Sequence, residues 1–189
     1  DHAYLLGGVD EISSYNYNVD FLDGWNKKEE VSSSELYKSK TSGSIAGEGA
    51  AMFVVSSENK NAVAGIKAVE TIHTRDPEIL KKKLIDFLSE QNIKPDLLLS
   101  GENGDIRFLP FYELIESTVN SPVARFKHLS GEYGTASAQA VWMSIHLLKN
   151  NSVPEHMTKG KAPSGKISSI LIYNNYKETQ HSFMLISRA

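Results

Sequence analysis

Residues 126–150, FKHLSGEYGTASAQAVWMSIHLLKN, decide how this chain is read. Between Tyr133 and Leu148 there is no Asp, Glu, Lys or Arg, although 23% of the chain is charged. A helix on the surface of a small domain carries a polar stripe, whereas one that is apolar or small nearly all round is buried on more than one side. Trp142, Ile145 and Leu148 are expected to face one sheet. Ala136, Ser137, Ala138 and Ala140 make a slim first turn and a half that other backbone can approach closely. Such a helix suits a middle layer between two sheets, and residues 1–189 need not supply both.

Working outward, strands alternate with helices, which argues an α/β layered domain. HAYLLGGVDEI reads as a buried strand ending in a Gly-Gly turn. Residues 13–44 show no clean period and read as a loop with one helical turn near Ser34–Tyr37. GEGAAMFVVSSE gives a Gly-bounded entry into a strand over Ala51–Ser56, and AVAGIKAVETIH continues as a strand bent at Gly65. Asp76-Pro77 is a helix start, with Asp as N-cap and Pro at the first helical position. Leu80, Leu84, Phe87 and Leu88 mark its apolar face, and the helix is expected to run to Ser89. DLLLS is a short apolar strand, FLPFYELIEST a helix, and SPVARFKHL a further strand. ISSILIY and HSFMLIS close the chain as an antiparallel pair, so the sheet is expected to be mixed.

The composition excludes several chemistries. There is no cysteine, hence no disulfide, thiolate metal site or cysteine nucleophile within these residues. The six histidines have no i,i+3 or i,i+4 spacing among themselves, so no metal site is signalled. The net charge of -3, from 20 basic and 23 acidic residues, gives no reason to expect nucleic acid. No apolar run approaches the ~20 residues of a membrane span, and DHAYLLGGVDEI lacks the basic start of a signal peptide. A soluble, cytoplasmic protein is expected, with no cofactor.

Three stretches in order, LLGGVDEIS, GSIAGEGAAMFVV and FKHLSGEYGTASA, resemble the second half of the β-ketoacyl synthases of the thiolase-like superfamily. The resemblance covers almost the whole chain. Residues 1–60 are similar to the end of the family's N-terminal half and 61–189 to its C-terminal half. It implies a thiolase-like layered fold with a mixed sheet and a buried central helix. In the family's Lys-x-x-x-Gly-His-x-x-Gly turn, Lys127, Gly131 and Gly134 match, while Glu132 stands in the histidine position. The other catalytic histidine of the family falls at Gly101, in SGENGD, and the family's glycine-rich C-terminal turn falls at NNYKETQ, which has no glycine.

These departures bear on the chemistry that the resemblance implies. Decarboxylative condensation needs donors on the enolate oxygen, which the family supplies as paired neutral imidazoles. An ionised Glu132 is acceptor-only and repels an enolate; kept neutral by burial, it can donate one hydrogen bond. Lys127 and Glu132 are the candidate catalytic pair, or else an ion pair that holds the turn. His128 is expected to point away from Lys127, as strand neighbours do. His146 is expected to be a hydrogen-bonded core residue, Glu48 a turn anchor, and Asn103-Gly104-Asp105 a plain turn.

Two functions follow from the resemblance. The first is a β-ketoacyl-[acyl carrier protein] synthase-like acyltransferase of fatty-acid or polyketide-type synthesis, present as the portion after the nucleophile cysteine. The second is a non-catalytic thiolase-fold partner subunit, like a chain-length factor, that shapes the acyl site of a ketosynthase. Either implies acyl carrier protein thioesters, a ketosynthase-type N-terminal half or partner subunit, and a dimer.

Overall fold

The computed structural model describes residues 2–58 and 61–189. The strands form two sheets. β1 (Ala3–Asp10) and β2 (Gly49–Ser56) pair antiparallel, with Ala3 opposite Ser56 and Asp10 opposite Gly49. The other sheet has six strands in the order β3-β8-β7-β4-β5-β6: β3 (Ala64–His73), β4 (Leu97–Ser100), β5 (Val123–Arg125), β6 (Thr158–Lys159), β7 (Ser169–Tyr176) and β8 (Gln180–Arg188). β4 runs parallel to both β5 and β7, while β3–β8, β7–β8 and β5–β6 are antiparallel. The sheet is mixed, as the sequence implies.

Alternation along the strands sends side chains to two cores. Leu97 and Leu99 of β4, with Ile170 and Ile172 of β7, pack beneath α5 (Ala136–Asn150), where Ala140 and Leu147 meet them. Leu98, Leu171 and Tyr173 project to the other face, against α2 (Pro77–Gln91) and α3 (Leu109–Val119). α2 begins where expected: the Asp76 carboxylate accepts from the Glu78 and Ile79 amides, and Pro77 opens the helix. It runs two residues beyond the expected Ser89, to Gln91, and Asn92 caps it in the left-handed region.

α5 lies between the six-stranded sheet and the two-stranded β1–β2 sheet and contacts both. That explains its lack of charge. Its close approach to β1 depends on Gly8, where an added Cβ would stand 2.5 Å from the Thr135 Cβ. The Asp10 carboxylate then accepts from the Thr135 amide at 2.7 Å and from its hydroxyl at 2.6 Å, joining β1 to the start of α5. Gly7-Gly8 is therefore the middle of a strand and not the turn expected from its composition. Trp142 is also placed differently from the sequence reading. It does not face a sheet; it is 45% exposed and packs at a tilt against His146, with ring centroids 4.3 Å apart. His146 is likewise exposed and not a core residue.

Two further local differences have physical causes. Residues Ser14–Leu22 form α1, where no helix is expected, because none of its residues is buried and no apolar period marks it. Its start is set by Ser13, whose hydroxyl accepts from the Asn16 amide at 3.1 Å. The strand expected over SPVARFKHL stops at Arg125, and Lys127–Ser130 form α4, a single helical turn.

Candidate functional site

The site gathers at the carboxyl ends of β4 and β7, beside the start of α5. Gly101 follows β4, and its amide donates to the Tyr173 carbonyl of β7 at 2.8 Å. Lys127 is carried by α4 and is 0% exposed. Gly131 closes that turn, and Glu132 emerges from it against the segment that enters β2: the Glu132 amide donates to the Ile45 carbonyl at 2.8 Å, and the Gly47 amide to the Glu132 carbonyl at 3.0 Å. Two stretches more than eighty residues apart in sequence thus meet at Glu132.

The Lys127 Nζ donates to Glu132 Oε1 at 2.5 Å, while Asn103 Nδ2 donates to the other oxygen, Oε2, at 2.9 Å. Both carboxylate oxygens are engaged. Asn103 is not a plain turn residue. Its Oδ1 accepts from the Asp105 amide at 3.1 Å, which is local turn chemistry, but its amide nitrogen is committed to Glu132. No signal in the chain links it to a residue 29 positions away. Glu48 does accept a backbone hydrogen bond, but from the Ile12 amide at 2.9 Å, 36 residues away beyond the end of β1, and not within its own turn.

The loop from Gly101 to Asp105 is pinned on all sides. Ser44 Oγ donates to the Asn103 carbonyl at 2.6 Å, and the buried Lys27 Nζ donates to the Gly104 carbonyl at 3.0 Å. Burial pulls the Lys27 ammonium below its ordinary range, with Glu29 and Asp105 opposing that shift. Glu102 turns inward, pairing with Arg125 at 3.1 Å and with Lys159 at 2.6 Å, and Lys159 also reaches Glu116 at 2.8 Å. Burial raises the Tyr112 phenol well above its usual range, with the Glu132 charge adding to it.

Gly101 has no room for a side chain. An added Cβ would lie 2.4 Å from Asn174 Oδ1 and 3.0 Å from the Tyr173 carbonyl oxygen. Asn174 therefore fills the space that a side chain at residue 101 would need. Gly101→Ala is expected to cost about 1–3 kcal/mol by overpacking, and Asn174→Ala in the same chain to recover part of that loss. Urea unfolding of the three variants reads both; an unchanged Gly101→Ala midpoint would remove the argument.

His128 does not point away from its neighbours along a strand. From α4 its Nδ1 meets the Tyr37 hydroxyl at 3.1 Å, and its backbone amide donates to the same oxygen at 3.2 Å. The Arg125 guanidinium lies 3.7 Å from the Tyr37 ring centre, and the His156 ring lies 5.7 Å away from that of His128. Burial pushes His128 down to about 4, helped by His156 and Arg125. The unfolded chain takes up this proton near pH 6.5 and the folded one only near 4, so stability falls as pH is lowered across that window. His128→Gln is expected to flatten that part of a pH–stability profile, measured as urea midpoint against pH.

Among the described residues no group of three or more His, Asp or Glu side chains is placed to hold a metal ion. No helix of the described residues is long and apolar enough to cross a membrane.

No protein-family model matches the chain, and no curated protein does. Solved structures do match over nearly all of it. A β-ketoacyl synthase from Burkholderia phymatum superposes with a TM-score of 0.77 at 15% identity, covering 99% of this chain and 55% of that one. The ishigamide ketosynthase/chain length factor gives a TM-score of 0.76 at 12% identity, covering 99% and 54%. A ketosynthase in complex with its chain length factor from Xenorhabdus doucetiae gives 0.77 at 13% identity, covering 99% and 53%. The chain has the thiolase-like fold of the ketosynthases. It spans about half the length of these structures. Within that ketosynthase fold, the two places where the family resemblance puts histidines hold a glycine backed by Asn174 and a carboxylate gripped by Lys127 and Asn103.

Proposed function

We propose that this chain is the second half of a ketosynthase-fold protein that acts as the non-condensing partner of a ketosynthase in fatty-acid or polyketide-type synthesis. One observation carries the reading: both oxygens of Glu132 are already occupied, by the Lys127 ammonium and the Asn103 amide. A condensing site needs free donors aimed at the developing enolate. Here the donors are spent on a carboxylate, and a carboxylate has none of its own to offer. With Gly101 unable to carry an imidazole, neither position supplies the required polarisation. In this reading Lys127 and Glu132 hold the turn. In a condensing enzyme the same two residues are the candidate catalytic side chains.

The reading places a ketosynthase-type N-terminal half, on the same parent chain or on a partner, against the β1–β2 sheet. A two-stranded sheet is marginal alone in water. Leu5, Leu6, Val9, Met52 and Val54 of this one are exposed, and an open cleft of about 810 Å³ lies between it and the start of β3. Residues 1–60 then belong to that half's sheet and 61–189 to the second half. Acyl carrier protein thioesters are the substrates of the assembly, and the assembly is a dimer of ketosynthase-fold subunits.

The test uses the complete protein with malonyl-loaded acyl carrier protein, alone and with a cysteine-bearing ketosynthase from the same source. No decarboxylation alone, and longer product only when both are present, is the expected result. Decarboxylation by the protein alone that Lys127→Ala or Glu132→Gln abolishes would overturn it in favour of an acyltransferase.

A further inference from the structure

α1 is unusual in having no buried residue at all, yet the segment around it is firmly tied at both ends. At one end the Ile12 amide donates to Glu48; at the other, Asn26 bridges to Ser44 and Lys27 reaches Gly104. Between these anchors the segment is held by two cations that converge on Trp25. Lys177 Nζ lies 4.8 Å from the Trp25 ring centre and pairs with Asp20 of α1 at 3.1 Å. The Arg107 guanidinium lies 4.9 Å from the same ring and donates to the Gly24 carbonyl at 2.8 Å.

The two cations come from the two loops that bound the candidate site. Arg107 also grips Asp105, which closes the Gly101–Asp105 loop, through Nε at 2.9 Å. Lys177 sits in the turn joining β7 to β8, two residues after Asn175, whose Oδ1 accepts from the Glu178 amide at 3.0 Å. Both central residues of that turn, Lys177 and Glu178, have positive φ, 49° and 68°. Side chains other than Gly, Asn and Asp rarely adopt that conformation, and it persists where surrounding contacts hold it. Here the Asp20 pair, the Trp25 contact and an Arg75–Glu178 pair at 3.7 Å do so.

We propose that residues 14–25 form a strap, latched across the site loop and the β7–β8 turn by Lys177 and Arg107 on Trp25, that opens as a unit while the six-stranded sheet stays folded. The hinges are Ile12 and Asn26. Among the described residues the strap is held by the Lys177–Asp20 pair, cation–π contacts, the Trp25–Phe108 stack and three hydrogen bonds. These run from Arg107 to the Gly24 carbonyl, from Lys28 to the Phe21 carbonyl and from the Ser44 amide to the Trp25 carbonyl, so opening costs less than unfolding. Opening takes from Arg107, which grips Asp105, its hold on Gly24 and Trp25, and releases the turn beside Asn174, which joins the strap's state to the shape of the site.

Hydrogen exchange followed by mass spectrometry on the full chain tests this. Lys177→Met is expected to speed exchange of the 15–25 amides about tenfold, the loss of one exposed pair and one cation–π contact, while residues 170–175 keep their protection. Lys83→Met, which breaks a comparably exposed pair with Glu70 at 3.1 Å, serves as control and is expected to leave the strap unchanged. Glu178→Gly relieves the turn and keeps Lys177, and is expected to leave strap exchange equal or slower. Unchanged strap exchange in Lys177→Met overturns the proposal. Joint loss of protection in the strap and β7 does so too, because the two are then one unit, and so does a strap opened by Glu178→Gly alone.

Discussion

Glu132→Gln is expected to lower the unfolding free energy by about 3–5 kcal/mol, the largest loss for any single substitution at the site. The reason is the asymmetry of the pair. Lys127 is 0% exposed, whereas the Glu132 side chain keeps 17% of its surface. Removing the carboxylate charge leaves an ammonium with no route to water and only an amide oxygen to face. Removing the ammonium instead leaves a carboxylate with partial solvent access and the Asn103 donor still in place. Lys127→Met should therefore cost less than Glu132→Gln, and the double variant less than Glu132→Gln alone, since a buried pair replaced on both sides is often neutral. Urea unfolding of the three proteins measures the order. If Glu132→Gln and Lys127→Met cost the same, the buried ammonium is not what makes the pair expensive to break.

This asymmetry also bears on function. A carboxylate whose two oxygens are both committed to donors of the fold is poorly suited to proton transfer in catalysis. Holding a turn rigid asks for nothing else, which fits the non-condensing role proposed above.

Parts of this arrangement are legible in the chain and parts are not. Asp76-Pro77 announces α2 because capping is local chemistry, confined to three or four residues. The charge-free run from Tyr133 announces α5 as a middle-layer helix because burial on two sides must be written into every turn. The Lys127–Glu132 pairing is readable because five positions across a glycine turn keep it local. Asn103 is not readable: its local bond to Asp105 is ordinary turn chemistry, and its decisive bond crosses to another element. α1 is invisible for the opposite reason, since a helix that buries nothing leaves no period to detect. His128 is misplaced because VARF looks like a strand that continues, whereas the chain turns at Phe126 into α4.

The buried charges behind Gly101 give the second large effect. Glu102 is 5% exposed and is the sole ionic partner of Arg125 among the described residues, while Lys159 divides itself between Glu102 and Glu116. Glu102→Gln removes one charge from a balanced set of two carboxylates and two cations. Arg125, whose Nε already lacks a partner among the described residues, then loses its charged partner and keeps the Tyr37 ring beneath it. A loss of about 2–4 kcal/mol is expected, below the Glu132 value because Lys159 and Arg125 retain some contact with solvent. Glu116→Gln should cost clearly less. Burial already raises the Glu116 carboxyl above its ordinary range against the pull of Lys159, and Lys159 keeps Glu102 when Glu116 is neutralised. Unfolding midpoints for the two variants decide the point. Equal losses would mean that the four charges act as one pool, and that Glu102 has no special part in anchoring the loop that carries Asn103 to Glu132.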